Sequence, residues 1–314
     1  MSKRLGKGFL RATREIYDPK QIKVTRRFRA KIAYDGTEFC GWQTQPNGQS
    51  VQDFIEGRLS TIFGAPCRVA GCSRTDAGVH AQGQVIHFEP PALLNDSLLN
   101  NPTQKWRIAP HLKEALLQKD DEAVAEVLRS MLCRENAGLP SSIQIQQIQT
   151  CHPAFHARHS AISKRYVYTI QEGRGNPQLN RFRWALGRRD SPLDLQAMRA
   201  AADLLCGSHD FSNFAVMKPT DTRDPVKNMT SLQVQRFTSP LSPGDSAGQR
   251  SVSCNNSLNS PNSPDGGGTE TESVVTISAT CDAFLYNMMR IISGTYTSIP
   301  IITQTQLLNA CLKS

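Results

Sequence analysis

The chain has 314 residues, 36 of them Lys or Arg against 27 Asp or Glu, and a formal net charge of +9. No apolar run approaches the ~20 residues that span a bilayer, so the composition excludes a helical membrane protein and favours a soluble one with a polyanionic partner. Nine cysteines without a C-x-x-C pair exclude a zinc ribbon and a disulfide framework, and predict reduced, mostly buried thiols inside a cell.

Residues 1–26 are rich in Lys and Arg with only Glu15 and Asp18 as acids. They read as a basic arm toward RNA, an organellar targeting segment or a solvated tail. Alternation predicts a strand over 27–34 and a helix over 51–63, with Val51, Phe54, Ile55, Leu59 and Ile62 on one face. Strands are predicted over 67–72 and 84–88, a loop over 90–105, and one long helical stretch over 112–132 that buries Leu116, Val124, Val127, Leu128 and Met131. The second half repeats the pattern: a strand over 164–170, a helix over 193–205, strands over 230–237 and 274–281, and a helix over 284–294. Between 239 and 273 Ser, Asn, Pro and Gly dominate and aromatics are absent, which predicts a disordered insertion extending a hairpin. Another helix begins near Thr305, shortly before the chain ends at Ser314. Strand-helix-strand-strand order with segregated helices is α+β, with ferredoxin-like units over 27–140 and 141–314.

The run Gly71-Cys72-Ser73-Arg74-Thr75-Asp76-Ala77-Gly78-Val79-His80-Ala81 places a carboxylate on a short loop beside an arginine and a hydroxyl, between two strands. Gly71, Gly78 and Gly83 permit positive φ or close approach, and Arg74 offers a fork of donors suited to phosphate or carboxylate. An ordinary β-turn whose Asp caps its own backbone has the same composition. Cys151, His152, His156 and His159 cluster in sequence, but Pro153 opposes a helical histidine pair and no carboxylate completes a metal site, so a basic loop near RNA is the better reading. His87-Phe88-Glu89 matches half of a zinc deaminase signature whose P-C-x-x-C half is absent. No phosphate loop or dinucleotide fingerprint is present, and neither metal nor cofactor is expected.

Extended through Gln82-Gly83-Gln84-Val85-Ile86-His87-Phe88, the aspartate run resembles the active-site loop of the TruA-type tRNA pseudouridine synthases. Further blocks resemble the same family in the same order. Ala33-Tyr34-Asp35-Gly36-Thr37 with Gly41-Trp42-Gln43 and Ser50-Val51-Gln52 stand before the loop. Phe155-His156-Ala157-Arg158, Lys164-Arg165-Tyr166-Val167-Tyr168, Gly207-Ser208-His209-Asp210-Phe211-Ser212-Asn213-Phe214 and Ala283-Phe284-Leu285-Tyr286-Asn287-Met288-Met289-Arg290 follow it. The resemblance implies a pseudouridine synthase fold, two ferredoxin-like halves sharing a central antiparallel sheet with the catalytic cleft between them. It implies isomerisation of uridine in the anticodon arm of tRNA, without a cofactor, on a base flipped out of its stack. Asp76 is then the nucleophile, Arg74 holds the RNA backbone or fills the gap left by the base, Tyr166 stacks on the uracil, and Arg290 is the basic partner of the aspartate. Arg158, Lys164 and Phe284 become substrate contacts. In a regular strand Tyr166 and Tyr168 share a face, so spacing alone does not choose between them. Family analogy also implies a homodimer, and an intracellular location that is cytoplasmic or organellar, in a mitochondrion or plastid.

The chain departs from the family at Cys40, where an aromatic is frequent, and at Ile291-Ile292-Ser293-Gly294. It also ends at Ser314 shortly after the helix near Thr305 begins, whereas the family usually continues through that helix into a further strand. The rival expectation is therefore a catalytically impaired RNA-binding relative.

Overall fold

The computed structural model describes residues 26–46, 48–91, 108–135, 137–173, 175–187, 192–217, 222–240 and 271–297. The basic arm before Arg26, most of the expected loop after Pro90, the expected insertion from 241 to 270 and the helix expected near Thr305 lie outside them. The chain divides into two compact units, Met1–Ile162 and Ser163–Ser314.

The first unit runs β1 (Arg27–Tyr34), α1 (Val51–Phe63), β2 (Val69–Gly71), β3 (Ala81–Phe88), α2 (Pro110–Gln118), α3 (Asp121–Leu132) and β4 (Ile143–Cys151). Its strands form one antiparallel sheet in the order β2-β3-β1-β4. On one face Phe28, Ala30, Ile32, Ile86, Phe88, Ile145 and Ile148 are buried against Val51, Ile55, Leu59, Ile62 and Phe63 of α1 and Val124 and Leu128 of α3. Helix α1 starts where expected because Ser50 and Asp53 close a reciprocal capping box: the Ser50 hydroxyl accepts from the Asp53 amide, and the Asp53 carboxylate accepts from the Ser50 amide. Gly64 in the left-handed region ends it.

The expected long helix over 112–132 is two helices. Lys119 turns left-handed at φ 56°, and Asp120 caps α3 by accepting from the amides of Glu122 and Ala123. Strand β4 adds to the elements that the sequence pattern predicts. It pairs with β1, and for that reason the division between units falls after Ile162 rather than near residue 140.

The second unit runs β5 (Lys164–Glu172), β6 (Trp184–Ala185), α4 (Leu195–Leu205), β7 (Gly207–Asp210), a single 3-10 turn at Ser212–Phe214, β8 (Val226–Pro240), β9 (Thr271–Cys281) and α5 (Met288–Thr297). The sheet order is β6-β5-β9-β8-β7, antiparallel except for the short parallel β5–β6 pair. Its core joins Met198, Ala201, Ala202 and Leu205 of α4 to Leu232, Val234, Val275, Ile277 and Ala279 of the sheet and Met288, Ile292 and Tyr296 of α5. Strands β8 and β9 are longer than expected. They remain paired to Pro240↔Thr271, so the two ends of the expected 239–273 insertion are strand. Helix α5 begins four residues later than expected because Asn287 is left-handed at φ 60°, a conformation that Asn tolerates and helix propagation does not. No described helix is long and apolar enough to cross a membrane.

Candidate active site

The aspartate loop leaves β2 at Gly71 and returns to β3 at Ala81. A turn closes within it: the Val79 amide donates to the Asp76 carbonyl at 3.2 Å, with Gly78 at φ 76° in the third position. The bend is thus an ordinary β-turn in its backbone, yet the Asp76 side chain stands exposed, as does Arg74. The loop is held through its backbone and through the Thr75 hydroxyl.

The segment between β1 and α1 holds it. The Trp42 amide donates to the Thr75 carbonyl at 3.0 Å, and the hydroxyls of Tyr34 and Thr75 are 2.8 Å apart. Backbone meets backbone at two glycines. A Cβ on Gly36 would lie 2.1 Å from the Val79 carbonyl oxygen, and one on Gly41, whose φ is 110°, would lie 2.7 Å from that of Thr75. His80 closes the far side: its Nδ1 is 3.1 Å from the Gly36 amide and 2.9 Å from Oδ1 of Asp35. One nitrogen serves one partner at a time, accepting from Gly36 when bare and donating to Asp35 when protonated. Either bond ties the end of the loop to the turn after β1.

Glu56 of α1 sets the strand that feeds the loop. It is 6% exposed, and its carboxylate accepts from the Val69 amide at 3.0 Å, from Gln52 at 2.8 Å and from Arg68 at 2.7 Å. The sequence carries no signal for the role of Glu56 or for the contact between His80 and Asp35, because the partners are distant in sequence or on another element.

The sheet face opposite the helices is polar. Arg29 and Lys31 of β1 are exposed there beside Gln147 and Gln149 of β4, and Arg29 donates to Gln149 at 2.9 Å. At the Cys151 end the loop 152–160 carries Arg158, exposed, with its amide donating to His156 at 3.2 Å. His87, His156 and His159 lie in a row with their rings tilted to one another, at centroid separations of 4.7 and 4.4 Å. Among the described residues no group of three or more His, Cys, Asp or Glu is placed to hold a metal ion.

In the second unit Tyr166 of β5 meets Phe284 edge to face, with ring centroids 4.5 Å apart. Tyr168 instead packs edge-on against Trp184, 6.3 Å away. That separates two tyrosines which sequence could not. Lys164 sits two residues before Tyr166 on the same side of the strand, half-buried at the Cys281 register. Because the helix starts late, Phe284 lies in the turn before α5 rather than on it, while Arg290 is on α5 and exposed. The structure therefore sets Arg74 and Asp76 on one braced loop, and brings Tyr166 against Phe284.

A family profile described as tRNA pseudouridine synthase matches residues 201–308. The tRNA pseudouridine synthase A of Brevibacillus brevis is 34% identical over 275 residues, which cover 87% of this chain and 84% of that protein. Those of Bordetella avium and Bordetella parapertussis are 37% and 38% identical over 212 residues, covering 66% of this chain and 66% and 65% of theirs. With such an extent shared, and with a carboxylate presented on a braced loop, the chain belongs to the tRNA pseudouridine synthase A family.

Proposed function

We propose that the protein is a tRNA pseudouridine synthase, an isomerase that converts uridine to pseudouridine in the anticodon arm of tRNA, and that Asp76 is its nucleophile. The observation that carries this reading is the exposed Asp76 carboxylate on a loop whose backbone is fixed from Gly36, Gly41 and Tyr34. An anchored but accessible carboxylate attacks either C6 of the base or C1′ of the sugar, and is later expelled. The bond from C1′ to N1 breaks, the base rotates, a bond from C1′ to C5 forms, N1 gains a proton and C5 loses one. No oxidant, reductant or cofactor is needed.

A uridine inside a stacked arm is out of reach, so the base is flipped. Arg74, two residues from the nucleophile, contacts the RNA backbone or fills the vacancy. Tyr166, with Phe284 against its ring, supplies the surface on which uracil stacks. Arg290 is the cation that favours the ionised aspartate, and Lys164 and Arg158 neutralise phosphates. The basic, amide-lined sheet face at Arg29 and Lys31, and the net charge of +9, suit the same polyanion.

The architecture in this reading is two ferredoxin-like halves that share a central antiparallel sheet around a catalytic cleft. The β2-β3-β1-β4 order of the first unit supports it, as a β-α-β-β-α-β chain gives this order. Homodimerisation and a cytoplasmic or organellar location follow from family analogy, and light scattering tests the first.

Release of tritium from tRNA labelled at uridine C5 tests the function. Wild type is expected to release it and Asp76→Ala to release none, while tRNA affinity stays nearly intact because phosphate contacts supply most of the binding. Tight binding without release by the wild type would instead identify an impaired RNA-binding relative.

A further inference from the structure

The histidine row of the first unit has no part in the chemistry above, yet the bonds of His87 and His156 converge on one loop. His87, on β3 and 7% exposed, accepts the Ala157 amide proton at Nδ1 over 3.1 Å. His156 accepts that of Arg158 at its own Nδ1 over 3.2 Å. Phe155 stands edge-on to His87 at 6.2 Å, and Arg27, paired with Glu89, donates to the Phe155 carbonyl. Ala157 is thereby buried and Arg158, the next residue, exposed.

An accepting Nδ1 must carry a free lone pair, so each bond requires a neutral ring. Burial, followed by the charges of His156, Arg27 and His159, pushes His87 down to about 3. Burial, with His159, Arg27 and Arg158, takes His156 to about 4. Both acceptors persist at neutral pH.

We propose that His87 is a positioning residue for RNA: by gripping the Ala157 amide it presets the 155–159 loop so that the Arg158 guanidinium meets a tRNA phosphate. The inference rests on the tRNA reading of the site. A preset loop loses less freedom on binding than a mobile one, which is why an imidazole with no path to the ligand affects affinity. His87 lies roughly 20 Å along β3 from Ala81, where the Asp76 loop returns, at ~3.3 Å per residue, and opposite Ala70 at the end of β2 from which that loop departs. It acts through the loop that carries Arg158 rather than on the reacting uridine, so its effect belongs to KM rather than kcat.

The test measures amide exchange of the 155–159 segment and tRNA affinity across a salt series. The proteins are wild type, His87→Phe, His87→Gln, Arg158→Ala and the His87→Phe/Arg158→Ala double variant. His87→Phe is expected to speed exchange in the loop, weaken tRNA binding ~3- to 10-fold and reduce the slope of log K against log salt by about 0.9, the signature of one lost phosphate contact. It should add little to Arg158→Ala, because the two act on one contact. His87→Gln, whose amide oxygen also accepts, should restore most of the protection and affinity. Unchanged exchange in His87→Phe, additive losses in the double variant, or a loss confined to kcat would each overturn the proposal. If His87→Phe does not fold, the wild type still decides: an unprotected Ala157 amide, or a His87 that NMR finds protonated at neutral pH, refutes the latch. A wild type without salt-dependent tRNA binding removes the substrate reading and the RNA role with it, even where the loop is protected.

Discussion

The phenol oxygen of Tyr34 and the hydroxyl oxygen of Thr75 lie 2.8 Å apart, and they join the end of β1 to the residue before Asp76. Tyr34 is buried and its ring stacks on Trp42, so the hydroxyl is its one polar contribution to the loop. Tyr34→Phe should keep the packing and lose about 1 kcal/mol of stability in urea denaturation. Turnover by tritium release should fall while tRNA affinity holds. Equal losses in both would mean that the bond serves the fold and not the placement of the aspartate.

Gly41→Ala should be worse than its size suggests. The added carbon would sit 2.7 Å from the Thr75 carbonyl oxygen at a backbone φ of 110°. Left-handed strain alone costs about 1–2 kcal/mol, and the clash moves the loop as well. Gly78→Ala is the control, with φ 76° but nothing within 4 Å of the new carbon. The expected outcome is a stability loss of about 2 kcal/mol or more for Gly41→Ala with turnover abolished, and a smaller loss for Gly78→Ala. Thermal melts and the tritium assay read both.

Glu56 offers a test far from the chemistry. Glu56→Ala leaves the buried Val69 amide without its acceptor, while Gln52 keeps its bond to the Val69 carbonyl, and the loss costs about 1–3 kcal/mol. Glu56→Gln retains one acceptor oxygen and should recover a good part of that. Faster amide exchange at Val69–Gly71 in the alanine variant would trace the loss to β2.

Acid should destabilise both units, for different reasons. His87 sits at about 3 when folded and near 6.5 when unfolded. Below 6.5 the unfolded chain therefore takes up a proton that the folded chain refuses, and stability falls with pH until about 3. By pH 5 the loss from this one ring is about 2 kcal/mol relative to pH 7. In the second unit burial works against the charge of Glu172, but bonds from Ser273, the Leu193 amide and Arg236 outweigh it and hold the carboxyl below its ordinary value. Its stabilisation is present above the ordinary carboxylate range and disappears as pH falls through the folded value. Urea titrations at pH 7 and pH 5 should show the drop, and His87→Gln should flatten it.

Local pattern made some of this legible in the sequence. Strand β1 and helix α1 follow from alternation and from a capping box written within four residues, so no distant contact is needed to find them. Strand β4 was hidden, because its Ile-Gln alternation breaks at a register shift, opposite Lys31 and Ile32 of β1, before Ile148 is buried. The break between α2 and α3 was masked by apolar spacing that runs through it, although Asp120 was a readable cap. At the site the motif pointed to Asp76, but the features that brace its loop are tertiary. A carbonyl 2.1 Å from where a Gly36 side chain would begin leaves no local trace. The same holds for His87, whose sequence context suggested a zinc signature and whose contact is an amide 70 residues away.

Strands β8 and β9 stay in register to their last pair, Pro240 and Thr271. Those two residues stand side by side, about 5 Å apart as antiparallel neighbours do, so whatever joins them departs from and rejoins the body at a single point. A two-residue Asn-Gly joint spans such a gap. A shortened connection at this position is thus geometrically compatible with the β8–β9 pairing up to its last pair.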